Sequence, residues 1–433
     1  MEILKYKNIN GIKNPRLKEL SAEIAFLQEK RNGWLGIFGL NVAPDEKKRK
    51  HMRLNVIKKL QDRGIFSANN KKTFFTKYLS SGCISCMRGE TYNFVPTFDC
   101  NKDCFFCYQP RFQYKAKAYK NVYHSPVINI KELVKKDKLE SFSISGGESL
   151  LVIDKVIKAI CLVKSRFGPS CKTHLYTNGD FATTGVLKQL KSAGLDEIRF
   201  NLAANNYRLT PVCLAQDYIS DVIVEIPVIP GDETKVKNLM AQLNRMGIFC
   251  LNLHELLFFG YNPAIYKKRG YMLKTAKKQP FYSELATPIH GSEDAAFRLL
   301  EFAVQKRYSI SVHYCSSSAK QDIQHIRKRY NYAKDVLKPY EKITKNGLLE
   351  KLIVYEPWCS VAIKDLKQNN VPMEQVNVSS ERRRLETHPH NLTYLNLKEY
   401  EVGIVRSLPD SRDVDIKAMG LNPASKAYKF KYK

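Results

Sequence analysis

Three cysteines on one short segment carry the strongest chemical signal in this chain. In DCNKDCFFCYQ, residues 99–109, they are spaced Cys100-x3-Cys104-x2-Cys107. Thiolates are the usual protein ligands of iron–sulfur clusters. Three of them on one loop can hold three irons of a [4Fe–4S] cubane and leave the fourth iron without a protein ligand. An open position distinguishes catalytic metal centres from closed structural ones. Zinc is the competing reading, because Cys-x2-Cys is also zinc spacing. The x3 gap, and the position directly after a strand-like run, favour the cluster.

Weaker motifs follow in order along the chain. Ser-Gly-Gly-Glu-Ser, residues 145–149, places two glycines where backbone can approach a ligand closely, with Glu148 as an acceptor for an ammonium group. Tyr-Thr-Asn-Gly, residues 176–179, offers Thr177 and Asn178, although Asn-Gly alone is simply a turn signal. Arg199 and Asn201 share one face of a further strand by period-2 alternation. Glu225, in VEIPVIPG, lies on the next strand.

Together these features resemble the radical S-adenosylmethionine superfamily, over roughly residues 92–256. The cysteine spacing, with Phe106 just before the last cysteine, carries the resemblance. It implies that the open iron chelates the amine and carboxylate of the methionine moiety. One-electron reduction then cleaves the ligand to a 5′-deoxyadenosyl radical that abstracts hydrogen from a substrate. It also implies that Phe106 lies near the adenine, and that Gly146, Gly147 and Glu148 bind the methionine amine. Thr177 and Asn178 resemble the polar residues that contact ribose, and Arg199, Asn201 and Glu225 are further candidate contacts. An electron donor of flavodoxin or ferredoxin type is implied as a partner. GCISCMRG, LNLHELLF and HYCSSSAK resemble, in addition, a little-understood group related to the pyruvate formate-lyase activating enzymes.

The chain has 11 cysteines, and an odd number without a signal peptide argues against a disulfide scaffold. Cys83, Cys86 and Cys315, with Cys359 as a further candidate, suggest an auxiliary iron–sulfur or zinc site, which needs ligands beyond one Cys-x2-Cys pair. Cys161, Cys171, Cys213 and Cys250 read as core residues. His254, Glu255 and His313 lie on strand-like runs, where a buried, hydrogen-bonded role is the plainer reading. No Ser–His–Asp, P-loop or paired-acid arrangement stands out.

The elements that must position these residues follow from patterning. Strand-like runs at Tyr92–Phe98, Ser141–Ser145, Thr173–Thr177, Glu197–Leu202, Val222–Val228 and Cys250–Leu256 alternate with helical segments. A seventh run, Ser309–Tyr314, extends the set. The order predicts an α/β fold, a partial (β/α)6 TIM-like barrel over residues 91–335. Residues 1–90 are expected to form a helical extension ending in Cys83-x2-Cys86, and residues 336–433 a small β-containing addition. A lid or substrate-binding insertion is expected at about residues 259–292, which are aromatic and basic.

Composition bounds the rest. No apolar run approaches the roughly 18 residues of a membrane span, and the opening MEILKYKNINGIKN lacks an apolar signal core, so a cytoplasmic protein without a membrane partner is expected. Lys and Arg total 71 against 42 Asp and Glu, a net charge of +29, which attracts polyanions. A macromolecular substrate is expected, with a peptide or protein ahead of RNA. The alternative of another class is a non-catalytic zinc or iron–sulfur protein that binds nucleic acid.

Overall fold

The computed structural model describes residues 6–44, 46–107, 130–133, 136–275, 286–410 and 412–420. The described residues divide into two compact units. One spans residues 35–275 and 286–325, and the other residues 6–34 and 326–420.

The first unit is built on a nine-stranded sheet. Its elements in chain order are helix α1 (Glu46–Asp62), strands β1 (Phe66–Ala68) and β2 (Thr73–Phe75), helix α2 (Ser81–Arg88), β3 (Thr91–Phe94), β4 (Ser141–Ile144), α3 (Ile153–Phe167), β5 (Lys172–Thr177), α4 (Thr184–Ala193), β6 (Glu197–Phe200), α5 (Thr210–Gln216), β7 (Asp221–Val228), α6 (Glu233–Arg245), β8 (Cys250–Glu255), α7 (Ser292–Gln305) and β9 (Ser311–Cys315). The order across the sheet is β1-β2-β9-β8-β7-β6-β5-β4-β3. Strands β3 to β9 are parallel, and the β1–β2 hairpin adds antiparallel to β9. The path does not close on itself, so the barrel is partial, with seven parallel strands.

Alternation along the strands separates two faces. Ile198 and Phe200, Val222, Val224, Ile226 and Val228, Leu251 and Leu253, and Val312 and Tyr314 join one hydrophobic core with the surrounding helices. The helices answer with one apolar face each: Val156, Ala159, Ile160 and Val163 on α3, and Val236, Leu239, Met240 and Leu243 on α6, follow the i, i+3, i+4, i+7 pattern. Each of the Val, Ile, Leu and Met side chains among them contributes about 1.5–3 kcal/mol on burial. The opposite strand face, carrying Glu197, Arg199, Glu225, Cys250, Asn252, His254, His313 and Cys315, looks into the lumen. That face is polar, so the lumen and not the apolar core is where chemistry must sit.

Two boundaries and the burial of two cysteines depart from the sequence-based expectation. The first parallel strand stops at Phe94 rather than Phe98. Pro96 has no N–H to donate, and residues 97–99 bond to the loop after β4 instead. Residues 1–90 are not one helical extension: residues 6–34 belong to the second unit, while β1 and β2 extend the barrel sheet and α2 enters its lumen. Cys161 and Cys213 are exposed on their helices, whereas Cys171 and Cys250 are buried as expected. Of the stretch expected as an insertion at 259–292, residues 276–285 lie outside the described residues. The described part holds a helix at Pro263–Lys268 and a bridge from Leu273 to Val42 and Ile289.

The second unit is a single antiparallel sheet with a helix packed on each face. Its sheet contains β10 (Leu349–Tyr355), β11 (Val376–Ser379), β12 (Arg384–Thr387), β13 (Val402–Ser407) and β14 (Asp413–Met419), in the order β11-β12-β10-β13-β14, with Lys342–Ile343 also paired to β10. One face packs Leu352 and Val354 with Ala362 and Leu366 of helix α8 (Cys359–Gln368). The other packs Ile353 and Tyr355 with Leu17 and Ile24 of the helix Pro15–Ile37. Among the described residues no helix is long and apolar enough to cross a membrane.

Candidate active site

The three-cysteine loop leaves the carboxyl end of β3, where parallel barrels build their active sites. Three backbone bonds fasten it to the loop after β4. Ser145 N–H donates to Phe94 O (3.0 Å), Gly147 N–H to Thr97 O (3.0 Å), and Glu148 N–H to Asp99 O (2.7 Å). A turn closes the motif itself, with Cys107 N–H donating to Cys104 O at 3.0 Å. The Lys102 N–H points to Cys100 Sγ at 3.4 Å. All three cysteines are half-buried. Burial, and then the neighbouring sulfurs of Cys107 and Cys100, push the Cys104 thiol up to about 12. Three cysteine thiols presented on one turn are the donor type that a thiolate-bound cluster takes. Metal coordination would remove the proton that burial otherwise retains.

Phe106 packs edge-on against Phe105, with ring centres 5.2 Å apart, beside Tyr266, Tyr271 and Phe258. Phe258 is fully buried core, while the Tyr261 hydroxyl reaches back to the cysteine loop and donates to Asp103 Oδ1 at 2.5 Å.

Glu148 is 1% exposed, and protein donors occupy both of its oxygens. Oε1 accepts from Leu150 N–H (3.1 Å) and the Thr177 hydroxyl (2.7 Å), and Oε2 from Asn178 N–H (2.7 Å). Burial raises its carboxyl above the ordinary range, and these donors pull it part of the way back. The carboxylate therefore braces the end of β5. The Thr177 hydroxyl also accepts from Gly179 N–H. Asn178 turns towards the cysteine loop, its Nδ2 donating to Asn101 Oδ1 at 2.7 Å and lying 3.8 Å from Cys100 Sγ. Asn201, just past β6, keeps a buried side-chain oxygen with no hydrogen-bond partner.

Arg199 lies deeper in the lumen, 3% exposed, and its five N–H groups are all directed at protein. Nε pairs with Glu197, Nη1 with Tyr176 Oη (2.9 Å) and Glu225 Oε2 (3.0 Å), and Nη2 with Ser80 Oγ (3.1 Å) and Cys83 Sγ (3.6 Å). Arg199, expected from the sequence as a candidate S-adenosylmethionine contact, has its N–H groups committed to protein partners in the lumen. Its partners Ser80 and Cys83 come from α2, which Ser80 caps by accepting from Cys83 N–H at 3.2 Å. Glu225 Oε1 also lies 2.7 Å from His254 Nε2. Burial acts to raise the Glu225 carboxyl, but His254 and Arg199 overcome it and hold the group well below the usual carboxylate range. Burial together with His254 and Arg199 presses His313 down to about 3, so it is neutral, and its Nδ1 meets Asn252 Oδ1 at 3.0 Å.

The candidate auxiliary cysteines each have protein contacts. Cys83 accepts from Asn252 Nδ2 at 3.4 Å as well as facing Arg199. Cys86 and Cys315 share one carboxamide: the Cys86 thiol points to Gln324 Oε1 (3.5 Å) and Gln324 Nε2 to Cys315 Sγ (3.4 Å). Cys359 belongs to the second unit, where its thiol donates to Val354 O at 3.2 Å. Among the described residues no three Cys, His, Asp or Glu side chains, the loop cysteines included, meet as placed in a group able to hold an ion.

Sequence reasoning passed over Asp180, Asn101, Lys102, Ser80 and Gln324. Each acts through a partner remote in the chain, and only the polar residue directly after the Asn178-Gly179 turn carried any local hint.

The sequence profile of the Radical SAM superfamily matches residues 94–226. A Methanocaldococcus jannaschii protein, provisionally named a glycyl-radical enzyme activating enzyme, is 32% identical over 285 residues, covering 63% of this chain and 72% of that protein. A second, uncharacterised protein of the same organism is 25% identical over 188 residues, covering 40% of this chain and 60% of that protein. Among solved structures, SuiB of Streptococcus suis aligns with a TM-score of 0.37 at 11% identity, over 76% of this chain and 66% of that one. Coproporphyrinogen III oxidase of Escherichia coli aligns with a TM-score of 0.34 at 13% identity, over 53% of this chain and 56% of that one. Both structural likenesses are distant.

Proposed function

Because the chain belongs to the radical S-adenosylmethionine superfamily, we propose that Cys100, Cys104 and Cys107 hold three irons of a [4Fe–4S] cluster used to cleave S-adenosylmethionine reductively. The observation that carries this is the half-buried three-cysteine turn at the end of β3, bonded through its backbone to the Gly146–Glu148 loop. When bound, such a cluster supplies the electron that breaks a carbon–sulfur bond of S-adenosylmethionine and yields a 5′-deoxyadenosyl radical. The chain's own residues position the ligand and exclude water. Gly146 and Gly147 offer backbone to the methionine moiety, and Phe106 offers an aromatic edge to the adenine. Thr177, Asn178 and Asn201 offer polar groups to the ribose or carboxylate. The unpartnered oxygen of Asn201 supports its part. Glu148 and Arg199 act from behind, by holding β5 and the lumen. Glu225, paired with His254 and 16% exposed, is a further candidate contact.

The substrate in this reading is a peptide or protein side chain, and the electron comes from a small flavodoxin- or ferredoxin-type protein. The provisional name of the first relative supports a protein substrate. The net charge of +29 favours RNA as a second reading, which requires an affinity for tRNA that falls steeply with salt. The deciding experiment is anaerobic. The protein is reconstituted with iron and sulfide, reduced with dithionite, given S-adenosylmethionine, and assayed for 5′-deoxyadenosine by mass spectrometry, with Cys104→Ala beside it. Product from the wild type alone is the expected result. A protein that takes up zinc, forms no reducible cluster and makes no product would sink the proposal.

A further inference from the structure

We infer that Asp180 is a positioning residue for the cluster, clasping the two residues that follow Cys100 and setting the charge beside the metal. The inference rests on the reading of Cys100 as a cluster ligand. Asp180 Oδ2 accepts from Asn101 Nδ2 at 2.7 Å and from Lys102 Nζ at 2.6 Å, while Oδ1 accepts from Arg208 Nη2 at 2.9 Å. One carboxylate thus joins three elements: the cysteine loop, the turn after β5 and the segment after β6.

The turn that presents Asp180 is built for that purpose. Gly179 adopts φ +87°, and a β-carbon there would lie 2.8 Å from Pro211 Cγ and 3.1 Å from Phe200 Cδ1, so only glycine fits. Asn178 Oδ1 accepts from Asp180 N–H at 2.9 Å, which leaves its Nδ2 to serve Asn101 and Cys100. Asn205 Nδ2 donates to Asn178 O at 2.8 Å, and its Oδ1 accepts from Arg208 N–H at 3.2 Å. The two residues that grip the loop are therefore held on their far side by the segment that also supplies Arg208. Hydrogen bonds around ligating residues orient them and tune the metal, and net charge near an iron–sulfur cluster is one of the settings of its potential.

A single exposed ion pair would carry little. Here the charges come as a set: two cations, Lys102 and Arg208, balanced by one anion that is 18% exposed. Removing the anion leaves uncompensated positive charge beside Cys100, which favours the more negative, reduced cluster. Removing Arg208 does the opposite.

The test uses the reconstituted full-length protein. EPR-monitored redox titrations of wild type, Asp180→Asn and Arg208→Gln are run at low and moderate ionic strength, and iron release to a chelator is timed for Asp180→Ala. Asp180→Asn is expected to keep its iron and shift the midpoint to a less negative value. Arg208→Gln is expected to shift it the other way, with both shifts shrinking as salt rises. Asp180→Ala is expected to lose iron several-fold faster than wild type. Loaded variants with the wild-type midpoint and wild-type iron release would overturn this inference alone. A wild type that takes up no four-iron cluster would overturn the functional reading and this inference with it.

Discussion

Gly147 lies directly against the carbonyl of Asp99: a β-carbon built on it would come within 2.0 Å of that oxygen and 2.6 Å of the Phe98 carbonyl carbon. The contacting atoms are backbone, so neither side can yield by rotating a side chain. The glycine is therefore the hinge pin between the loop after β4 and the loop that carries Cys100.

Gly147→Ala is expected to force those two loops apart. Overpacking of this kind costs about 1–3 kcal/mol, and here the displaced segment holds the proposed metal ligands. Iron per chain after reconstitution should fall well below that of the wild type, with 5′-deoxyadenosine formation falling alongside. Full iron loading in this variant would mean that the cysteine loop is positioned by something other than the Gly147 contact.

Glu148→Gln separates two roles of the Gly-Gly-Glu motif. The carboxylate accepts three hydrogen bonds from protein, and an amide at the same place would turn an NH2 towards an N–H or O–H donor. A mispaired buried group costs about 1–3 kcal/mol. The metal-free protein without S-adenosylmethionine should therefore melt at a lower temperature than the wild type. An unchanged melting temperature, with weaker S-adenosylmethionine binding in the loaded protein, would return Glu148 to a direct ligand role.

Much of this was legible in the chain itself. Period-2 alternation located the parallel strands, because one face of each must meet apolar helices. The cysteine spacing located the candidate metal loop, because its motif is local to eight residues. What stayed hidden depends on contacts between remote residues. Glu148 reads as a ligand contact in the sequence, whereas its bonds to Thr177 and Asn178 show only in the structure. Residues 6–34 read as part of a helical extension, yet the Glu401 carboxylate accepts from the N–H groups of Lys13 and Asn14, nearly 390 residues away. Cys161 and Cys213 read as core, but a single small thiol on a helix says little about which face it occupies. The Asp180 clasp spans 79 residues and leaves no local pattern.

Arg199→Met should destabilise the first unit strongly. The substitution approximates the side-chain length but leaves Glu197, Glu225 and the Tyr176 hydroxyl without their shared cation. Removing one member of a buried charge set costs about 3–5 kcal/mol. Denaturant titration of the full-length protein should show that loss. A variant as stable as wild type but unable to bind S-adenosylmethionine would instead assign the guanidinium to the ligand.

Acid sensitivity of the second unit follows from Arg384, which is 1% exposed and donates to Glu386 Oε1 through Nε (2.9 Å) and Nη2 (2.6 Å) and to Asp413 Oδ2 through Nη1 (2.7 Å). Burial acts to raise both carboxyls. Lys351 and Arg384 overcome it at Glu386, and Arg384 does so at Asp413, so both are held below their ordinary values of 4.5 and 3.8. A depressed carboxylate contributes stability that is fully present above its unfolded value and is lost as pH falls through its folded value. The wild type should therefore be equally stabilised by this network at pH 7 and pH 6, and progressively less so from about pH 4.5 downward. Arg384→Ala should cost about 3–5 kcal/mol at neutral pH, and its deficit relative to wild type should narrow as the carboxylates protonate. Denaturant titrations at pH 7, 5 and 3 read the effect directly, and a deficit that stays constant across that range would show that the guanidinium stabilises the sheet by packing rather than by charge.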